Sequence, residues 1–474
     1  MGRQTVVMRR LHTWVVGGAV IGIGALAHPA STAAMPDASH ATARLIIGYR
    51  PGADGSELIP VHVRLGARVL RYVPALHAAV VSLPPDATAA SGPLDMTLSG
   101  DEAAAAATIG NRDAAAPPPP DVAAAAHLYA AQPAVAFVES DARAAVGGWA
   151  SGDRPAAGRG SAAWAAPAAP AAPAADPLAD RQWHLAAARL PAAWRRVSAD
   201  GIRIAVVDTG VDATHPDLAG AQDTGWSAVD GGGDTTDRHG HGTAVAGVVA
   251  AIAGNGVGVA GAAPGARIVP VRALGADGTG WMSDIAAGIV WAADHGASII
   301  VVAAGSPAPL RLVRDAVDYA TRRGALVVAA AGNAGSTAVD HPAADPGALA
   351  VAAVDASGAL APWSNRGPDV ALGAPGTAIL TTARGGGYVS AEGSSVAAAI
   401  VAGAAALRAA QDPGATPLDL ARRLVARAAH PTGAADLAMP GRIDADAVTA
   451  PDPAARLPGA WRQPRAVFLP ALQR

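Results

Sequence analysis

The stretch Ile202-Arg203-Ile204-Ala205-Val206-Val207-Asp208-Thr209-Gly210 decides the fold. Its apolar residues form an almost continuous run that ends in an acid, a hydroxyl residue and a glycine. Such a run is typical of a strand buried on both faces of a parallel sheet. Four similar runs follow, with helical stretches between several of them: strands at 268–273, 298–303, 326–331 and 349–354, and helices at 282–295 and 312–323. The pattern predicts an α/β domain with a doubly wound, mainly parallel sheet.

Three motifs, far apart in the chain, each hold one residue of a nucleophilic triad. Asp208 ends the first apolar strand, His241 opens a stretch of small and apolar residues, and Ser395 lies within residues 393–397. A serine hydroxyl attacks at neutral pH when an imidazole takes its proton and a carboxylate orients that imidazole. Active sites of open α/β sheets lie at the carboxyl ends of the strands, so we expect these three side chains to meet there.

The composition excludes several other chemistries. The 474 residues contain no cysteine and no lysine, which excludes thiol nucleophiles, zinc–thiolate sites, disulfides, Schiff bases and lysine-dependent phosphate loops. A net charge of −3 does not indicate a nucleic acid or an acidic membrane surface as partner. A second Asp-Thr-Gly triplet at 223–225 would suit an aspartic protease, but it follows the first too closely to lie on a separate lobe. We expect a serine nucleophile and no organic cofactor.

Taken together, the motifs resemble those of the subtilisin-like serine proteases, the subtilase family. The resemblance rests on the triplet at 208–210 followed by His-Pro-Asp-Leu at 215–218, and on the chain order Asp, His, Ser. It extends to the stretch 327–335, which reads Val-Val-Ala-Ala-Ala-Gly-Asn-Ala-Gly. The resemblance, closest to thermitase-like members, implies a serine endopeptidase that acts on protein or peptide substrates.

The family pattern also implies a role for each residue of the site. Ser395 is the nucleophile, His241 the general base and Asp208 the carboxylate that orients it. Asn333 is the side-chain donor to the oxyanion. Ser394 stands where the family usually has threonine, so we assign the nucleophile to Ser395 rather than to its neighbour.

Two further segments resemble those that bind an extended peptide in this family. Gly278 and Gly280 lie in one of them, and Ala303, Ala304 and Gly305 form the other. A peptide that adds as a strand between such segments is bound through its backbone and selected by pockets at alternate side chains.

Asp340 falls, by the same resemblance, at the bottom of the primary specificity pocket. A carboxylate that faces the substrate would favour arginine or lysine there, whereas a carboxylate turned to solvent would leave the pocket apolar. Both readings stay open. The next peptide bond, His341–Pro342, matches one that is usually cis in the family.

The chain departs from the family in two segments. Residues 301–305 read Val-Val-Ala-Ala-Gly where Asn-x-Ser-Leu-Gly is usual, and Ala399 replaces a proline. Neither change removes a catalytic group. A secreted binding protein that keeps the fold without turnover therefore stays an alternative.

Residues 42–146 indicate a separate α+β module. Their pattern predicts βαββαβ, with elements at 43–49, 58–65, 67–73, 78–83, 121–131 and 135–139 and an insertion at 87–120 that we expect to be disordered. This order resembles the inhibitory propeptide of secreted subtilases. An unrelated small binding domain is the alternative.

The flanking segments suggest export. Residues 1–27 resemble a signal peptide, with an uncleaved anchor as the alternative. An Ala/Pro-rich linker at 147–176 precedes the peptidase domain at 177–448. The C-terminal segment at 449–474 does not indicate a function. The apolar run at 396–407 is better read as a buried helix than as a membrane span. We expect a secreted monomer that is not stably inserted in a membrane.

A structural calcium ion is the one cofactor that the resemblance suggests. Asp217 matches a calcium-binding carboxylate of many relatives, and the loop 253–258 adds Asn255 and backbone carbonyls. Hard oxygen ligands of this kind suit calcium. A turn without a metal ion is the alternative.

Overall fold

The computed structural model describes residues 43–53, 55–84, 122–147, 176–429 and 441–451. Several predicted segments lie outside the described residues: the signal peptide, the insertion at 87–120, the linker from 148 to 175 and the C-terminal residues beyond 451.

An antiparallel sheet with two helices on one face forms the N-terminal module, which we define as the described residues from 43 to 142. Its elements are β1 (Arg44–Tyr49), α1 (Ile59–Leu65), β2 (Arg68–Val73), β3 (Ala78–Ser82), α2 (Val122–Ala130) and β4 (Val135–Ser140), with short 3₁₀ turns at Ser56–Leu58 and Pro74–Leu76. The strand order is β2-β3-β1-β4. All six elements predicted for this segment are present, within one or two residues at each end.

Strand β1 is buried on both faces because the module packs against a second domain. Leu45 and Ile47 point to the two helices of the module, whereas Ile46, between them, packs with residues of the larger sheet. Side chains of successive strand residues point to opposite faces, so the run Leu45–Ile47 reads as continuously apolar.

Seven parallel strands form the sheet of the larger domain: β6 (Arg203–Asp208), β7 (Trp226–Ser227), β8 (Arg267–Arg272), β10 (Ile299–Val302), β11 (Leu326–Ala330), β12 (Ala348–Val354) and β13 (Leu372–Pro375). The strand order is β13-β12-β11-β10-β6-β8-β7. Shorter antiparallel pairs are β5 (Arg143–Ala145) with β9 (Thr279–Trp281), and β14 (Ile379–Ala383) with β15 (Gly387–Ala391). The parallel sheet confirms the predicted fold class.

Helices cover both faces of this sheet. They are α3 (Trp183–Ala187), α4 (Leu190–Trp194), α5 (His241–Ala250), α6 (Met282–Asp294), α7 (Arg311–Arg322), α8 (Ser394–Gln411), α9 (Pro417–Ala426) and α10 (Ala445–Thr449), after a 3₁₀ turn at Ala179–Arg181. Helices α5 and α8 pack on one face and α6 and α7 on the other. In β6, Ile204 and Val206 point to the first face and Ala205 and Val207 to the second.

Helix α8 is the central helix of this fold. Within the part of the chain that the structure describes, it is the one helix long and apolar enough to cross a membrane, yet 83% of it is buried inside the protein. It packs against β10, β11, β12 and β13. Its apolar composition reflects a core position, as predicted for residues 396–407.

Candidate active site

The imidazole of His241 and the carboxylate of Asp208 form a buried pair. Nδ1 of His241 lies 2.8 Å from each carboxylate oxygen, and the two residues are 1% and 0% exposed. A carboxylate offers only acceptors, so Nδ1 carries the proton and Nε2 is left as the basic nitrogen. The backbone amide of Thr209 also donates to Asp208, over 2.7 Å. The pair thus has the orientation that a general base requires.

Glycine after His241 allows the two segments to approach each other this closely. A Cβ atom at Gly242 would lie 2.1 Å from the carbonyl oxygen of Gly210 and 3.1 Å from Oδ1 of Asp208. Any side chain at this position would therefore push the start of α5 away from the end of β6.

A second buried acid, Asp237, ties the loop before α5 to the end of β6. Its Oδ1 accepts from Oγ1 of Thr209 at 2.9 Å and from the amides of His239 and Gly240. Its Oδ2 accepts from the amide and hydroxyl of Thr243, at 2.9 and 2.6 Å. Sequence reasoning missed Asp237, since an acid four residues before a histidine carries no specific signal.

Ser395 lies in the first turn of α8, 2% exposed. Its hydroxyl donates to the carbonyl oxygen of Ala303 over 2.8 Å. Its backbone N–H lies among those at the helix N-terminus, where the helix dipole favours negative charge. The position of this N–H suits a donor to an oxyanion that forms on a bound carbonyl group.

Ser394 and Asn333 are joined by hydrogen bonds. Oδ1 of Asn333 accepts from the amide of Ser394 at 2.9 Å and from its hydroxyl at 2.8 Å. Because Oδ1 is engaged, Nδ2 faces the cleft, where it donates to the carbonyl oxygen of Gly147 over 2.7 Å. The two adjacent serines therefore have different surroundings.

The residues Arg143–Gly147, called the tail below, occupy the cleft as an extended strand. On one side, β5 pairs with β9 so that Ala144 faces Gly280, and the amide of Val146 donates to the carbonyl of Gly278 over 3.0 Å. On the other side, Ala145 and Gly305 exchange two backbone hydrogen bonds of 3.2 Å. Both segments that were predicted to bind an extended peptide thus contact one.

His239 lies next to this strand. A Cβ at Gly278 would meet Cγ2 of Val146 at 2.8 Å and Nε2 of His239 at 2.9 Å, and the ring centroids of His239 and His241 are 6.4 Å apart. Burial lowers the pKa of His239, and so does the neighbouring His241.

Asp340 lies against the walls of the cleft. A Cβ at Gly332 would come within 2.3 Å of its Oδ2, and one at Gly305 would lie 3.3 Å from its Cβ. Burial raises the pKa of this carboxyl, although His341 opposes the shift. The His341–Pro342 bond is cis, as expected.

Comparison with known proteins gives the family. The profile of the subtilase family matches residues 199–448, which contain Asp208, His241 and Ser395. Thermitase from Thermoactinomyces vulgaris is 42% identical over 237 residues, which cover 50% of this chain and 85% of thermitase. The chain belongs to the subtilase family.

Two other relatives share only part of their length with this subtilase. The thermophilic serine proteinase of Bacillus sp. (strain AK1) is 47% identical over 211 residues, which cover 44% of this chain and 53% of that proteinase. The structure of fervidolysin from Fervidobacterium pennivorans, described as a keratinolytic enzyme related to subtilisin, aligns with a TM-score of 0.68 at 27% identity. That alignment covers 89% of this subtilase and 63% of fervidolysin. One of these relatives is thus named as a serine proteinase, and the other is described as related to subtilisin.

Asp217 and Asn255, the predicted calcium ligands of this subtilase, contact each other. Nδ2 of Asn255 donates to one oxygen of Asp217 at 2.9 Å, and the amide of Val259 donates to the other at 2.8 Å. The hydroxyl of Tyr388 lies 3.3 Å from the latter oxygen. Oδ1 of Asn255 accepts from the amide of Val257, which fixes the amide orientation.

Calcium requires several oxygen ligands, whereas the groups that contact Asp217 present hydrogens. Asp176, whose charge helps to raise the pKa of Asp217, is the one further carboxylate described near it, and its oxygens accept from the amide of Gly254. The arrangement of oxygen ligands that the structure describes around Asp217 does not fit a bound calcium ion. Elsewhere in the described ranges, no group of three His, Asp or Glu side chains gathers as a metal site.

Proposed function

We propose that the chain is a secreted serine endopeptidase that is made as a self-processing zymogen. The observation that carries the proposal is the carbonyl group of Gly147. Its oxygen accepts a hydrogen bond from Asn333, and the tail that leads to it pairs with both edges of the cleft. A peptide held in this way has its carbonyl presented to the residues that would cleave it.

In the proposed reaction, Ser395 attacks the peptide carbonyl while His241 takes the hydroxyl proton through Nε2. Asp208 holds the imidazole in the required tautomer and stabilises its positive charge. Nδ2 of Asn333 and the backbone N–H of Ser395 bind the oxyanion as it forms. His241 then returns the proton to the leaving amine, and water hydrolyses the acyl-enzyme by the same steps.

The bond that would be cleaved during maturation is Gly147–Gly148. Counted from the carbonyl held by Asn333, Gly147 occupies the position of the residue before the scissile bond. The tail has no side chain at this position, so it binds without filling the pocket near Asp340. The start of the mature enzyme at Gly148 follows from this register.

The N-terminal module would act as the inhibitor after cleavage, because it contacts the second domain outside the cleft too. Glu139 accepts hydrogen bonds from the amides of Arg311 and Leu312, at 2.9 and 3.0 Å, and so caps α7. Asp141 accepts from the amide and hydroxyl of Ser283, at 3.1 and 2.6 Å. These are polar contacts of a protein interface, which hold a module after its covalent link is cut.

Two arginines of the module strengthen the same interface. Arg44 and Arg71 both pair with Asp284, over 3.3 and 3.0 Å. Asp284 is only 7% exposed, so removing either partner leaves a buried charge poorly compensated.

Export is proposed from the sequence alone. Residues 1–27 have the basic start and apolar run of a signal peptide. Protein or peptide substrates and a monomeric mature form complete the proposal.

Replacement of Ser395 by alanine tests the mechanism. The full chain of Ser395→Ala should fold, fail to react with a serine-directed fluorophosphonate, leave casein intact and remain uncut. The matched control is Ser394→Ala, which should still react and mature. Mass spectrometry of the wild type should find an N-terminus at Gly148.

A Ser395→Ala chain that still matures on its own and cleaves casein would contradict the assignment of the nucleophile. A folded wild type that does not react with the probe would favour the alternative of a binding protein without turnover.

A further inference from the structure

Arg143 is the fifth residue before the bond that we propose to be cleaved. The register follows from Gly147, whose carbonyl is held by Asn333, and from the pairing of β5 with β9, in which Arg143 faces Trp281. A substrate that binds in the same register therefore places its own fifth residue at Trp281.

The guanidinium of Arg143 has three contacts of different kinds at this position. It stacks over the indole of Trp281, 4.8 Å from the ring centroid, and Nη2 donates to Oγ1 of Thr279 over 2.6 Å. Oγ1 of Thr279 donates in turn to Oδ2 of Asp277 over 2.8 Å. A planar cation thus meets a ring face, a hydroxyl acceptor and a nearby carboxylate.

Asp277 keeps its negative charge at this position. Its burial alone would raise its pKa, but the hydrogen bonds from the amide and hydroxyl of Thr279 and the charge of Arg143 outweigh that effect and lower it. The turn that carries Asp277 is held by the amide of Thr279, which donates to Oδ1 over 3.0 Å. The acceptor groups are therefore held by hydrogen bonds within their own turn.

These contacts select arginine over other side chains. A guanidinium combines a flat face that stacks on indole with N–H groups directed in its plane, whereas an ammonium group is a point charge without such a face. Arg44 of the module also lies over Trp281, at 4.6 Å, so this ring contacts two guanidinium groups.

We propose that Trp281, Thr279 and Asp277 form a guanidinium-binding subsite of the mature enzyme, which selects peptides with arginine at the fifth residue before the cleaved bond. The inference rests on the proposed endopeptidase function. The three residues belong to the larger domain and remain after the module leaves, so the subsite is open to substrate.

Matched fluorogenic peptides test the subsite on self-processed wild-type enzyme. The first peptide copies residues 143–147 before the cleaved bond. In the others, arginine is replaced by citrulline, which keeps the shape without the charge, or by lysine, or is moved one residue further away. We expect kcat/KM to be about three- to tenfold higher for the first peptide than for citrulline, with lysine in between. The difference should appear in KM, because the contact is the same in the ground and transition states.

Substitutions of Trp281 and Thr279 test whether these residues cause the preference for arginine. Trp281→Ala and Thr279→Val should bring the ratio of arginine to citrulline hydrolysis close to one. Trp226→Ala is the matched control, because Trp226 stacks with Arg71 of the module at 5.3 Å but lies in β7, away from the tail. It should leave the ratio unchanged.

Equal kcat/KM for the arginine and citrulline peptides would overturn the subsite while the endopeptidase function stands. Hydrolysis of neither peptide would overturn the endopeptidase function and the subsite with it. A wild-type preference that persists in Trp281→Ala and Thr279→Val would also overturn the assignment.

Discussion

Ser394 directs two donors, its backbone N–H and its hydroxyl, at Oδ1 of Asn333, over 2.9 and 2.8 Å. The hydroxyl oxygen also accepts from the amide of Gly332 at 3.1 Å, so it links the loop after β11 to the start of α8. The amide group of Asn333 is thereby held with its nitrogen toward the carbonyl of Gly147. In the proposed reaction Ser394 would act through Asn333, as a positioning residue.

Ser394→Ala should therefore lower kcat by about tenfold and change KM little, because one of two hydrogen bonds that orient Asn333 is lost. Ser394→Thr keeps the hydroxyl and should retain most activity. Asn333→Ala removes the oxyanion donor itself and should cost about 10²- to 10³-fold in kcat, a magnitude carried over from subtilisin. Steady-state kinetics on a peptide substrate check the series, and equal kcat for Ser394→Ala and wild type would contradict it.

The fold could be predicted from the sequence because its signals are local. Continuous apolar runs such as Ile299–Val302 are buried on both faces, and six short elements of the module have clear periodicity. The contact between Asp208 and His241 could be predicted for a different reason. Asp208, His241 and Ser395 each lie at the end of such an element, and the resemblance to a family gave each of them a role.

The rest of the site depends on contacts between distant segments. The pairing of the tail with Gly305 joins residues 160 positions apart, and nothing local in Arg143–Gly147 indicates a strand in a cleft. In the sequence, Glu139 and Asp141 resemble ordinary surface acids, yet each accepts a hydrogen bond from a backbone amide of the other domain. Their roles become visible only when both domains are folded.

The N-terminal module should inhibit the mature enzyme when added in trans. Its tail fills the cleft, and Glu139 caps α7 with two hydrogen bonds, a contact that typically stabilises by about 1 kcal/mol and up to 2. Glu139→Ala should therefore weaken the inhibition constant by about tenfold. The matched control is Glu57→Ala, since Glu57 is an exposed acid in the 3₁₀ turn before α1. Titration of peptidase activity checks both.

No inhibition by the wild-type module would favour an unrelated binding domain. Equal inhibition constants for Glu139→Ala and Glu57→Ala would show that the cap of α7 does not contribute to inhibition.

Inhibition by the module should weaken as the pH rises. Burial raises the pKa of Asp141 to about 6, and Asp284 adds to the shift, whereas Ser283 and Arg44 oppose it. Asp141 in the complex therefore binds a proton more tightly than it does when exposed to water. Its contribution is fully present below about pH 4 and is lost as the pH rises through 6. We expect an inhibition constant about tenfold weaker at pH 8 than at pH 5.

Asp141→Asn provides the test of this pH effect, because asparagine stays neutral and keeps an oxygen for the amide of Ser283. The variant should inhibit nearly as well at pH 8 as at pH 5. Burial also raises the pKa of Asp284, so a weaker dependence of the inhibition constant on pH should persist. If the inhibition constant of Asp141→Asn changed with pH as much as that of the wild type, the titrating group would be another residue.

Chelation should leave the stability of the enzyme almost unchanged. Calcium binding is common among subtilases, but here Asp217 is already satisfied by Asn255, Val259 and Tyr388. Differential scanning fluorimetry with EDTA or with calcium should give the same Tm within about 2 °C, since no metal binding is lost. A large fall with EDTA that calcium reverses would mean that the loop rearranges around an ion. Tyr388→Phe should lower the Tm slightly under both conditions.

Asp340 should give the enzyme a preference for arginine or lysine immediately before the cleaved bond. Its carboxylate lies against Gly332 and Gly305 in the cleft, and no described residue donates a hydrogen bond to it. A half-buried acid without a donor gains most from a cationic partner. Profiling of a peptide library with wild type and Asp340→Asn measures the ratio of basic to aromatic cleavage, which should fall about tenfold or more in the variant. An unchanged ratio would show that the pocket is broadly apolar, with Ala303 and Ala304 in its wall, and that the carboxylate does not contact the substrate.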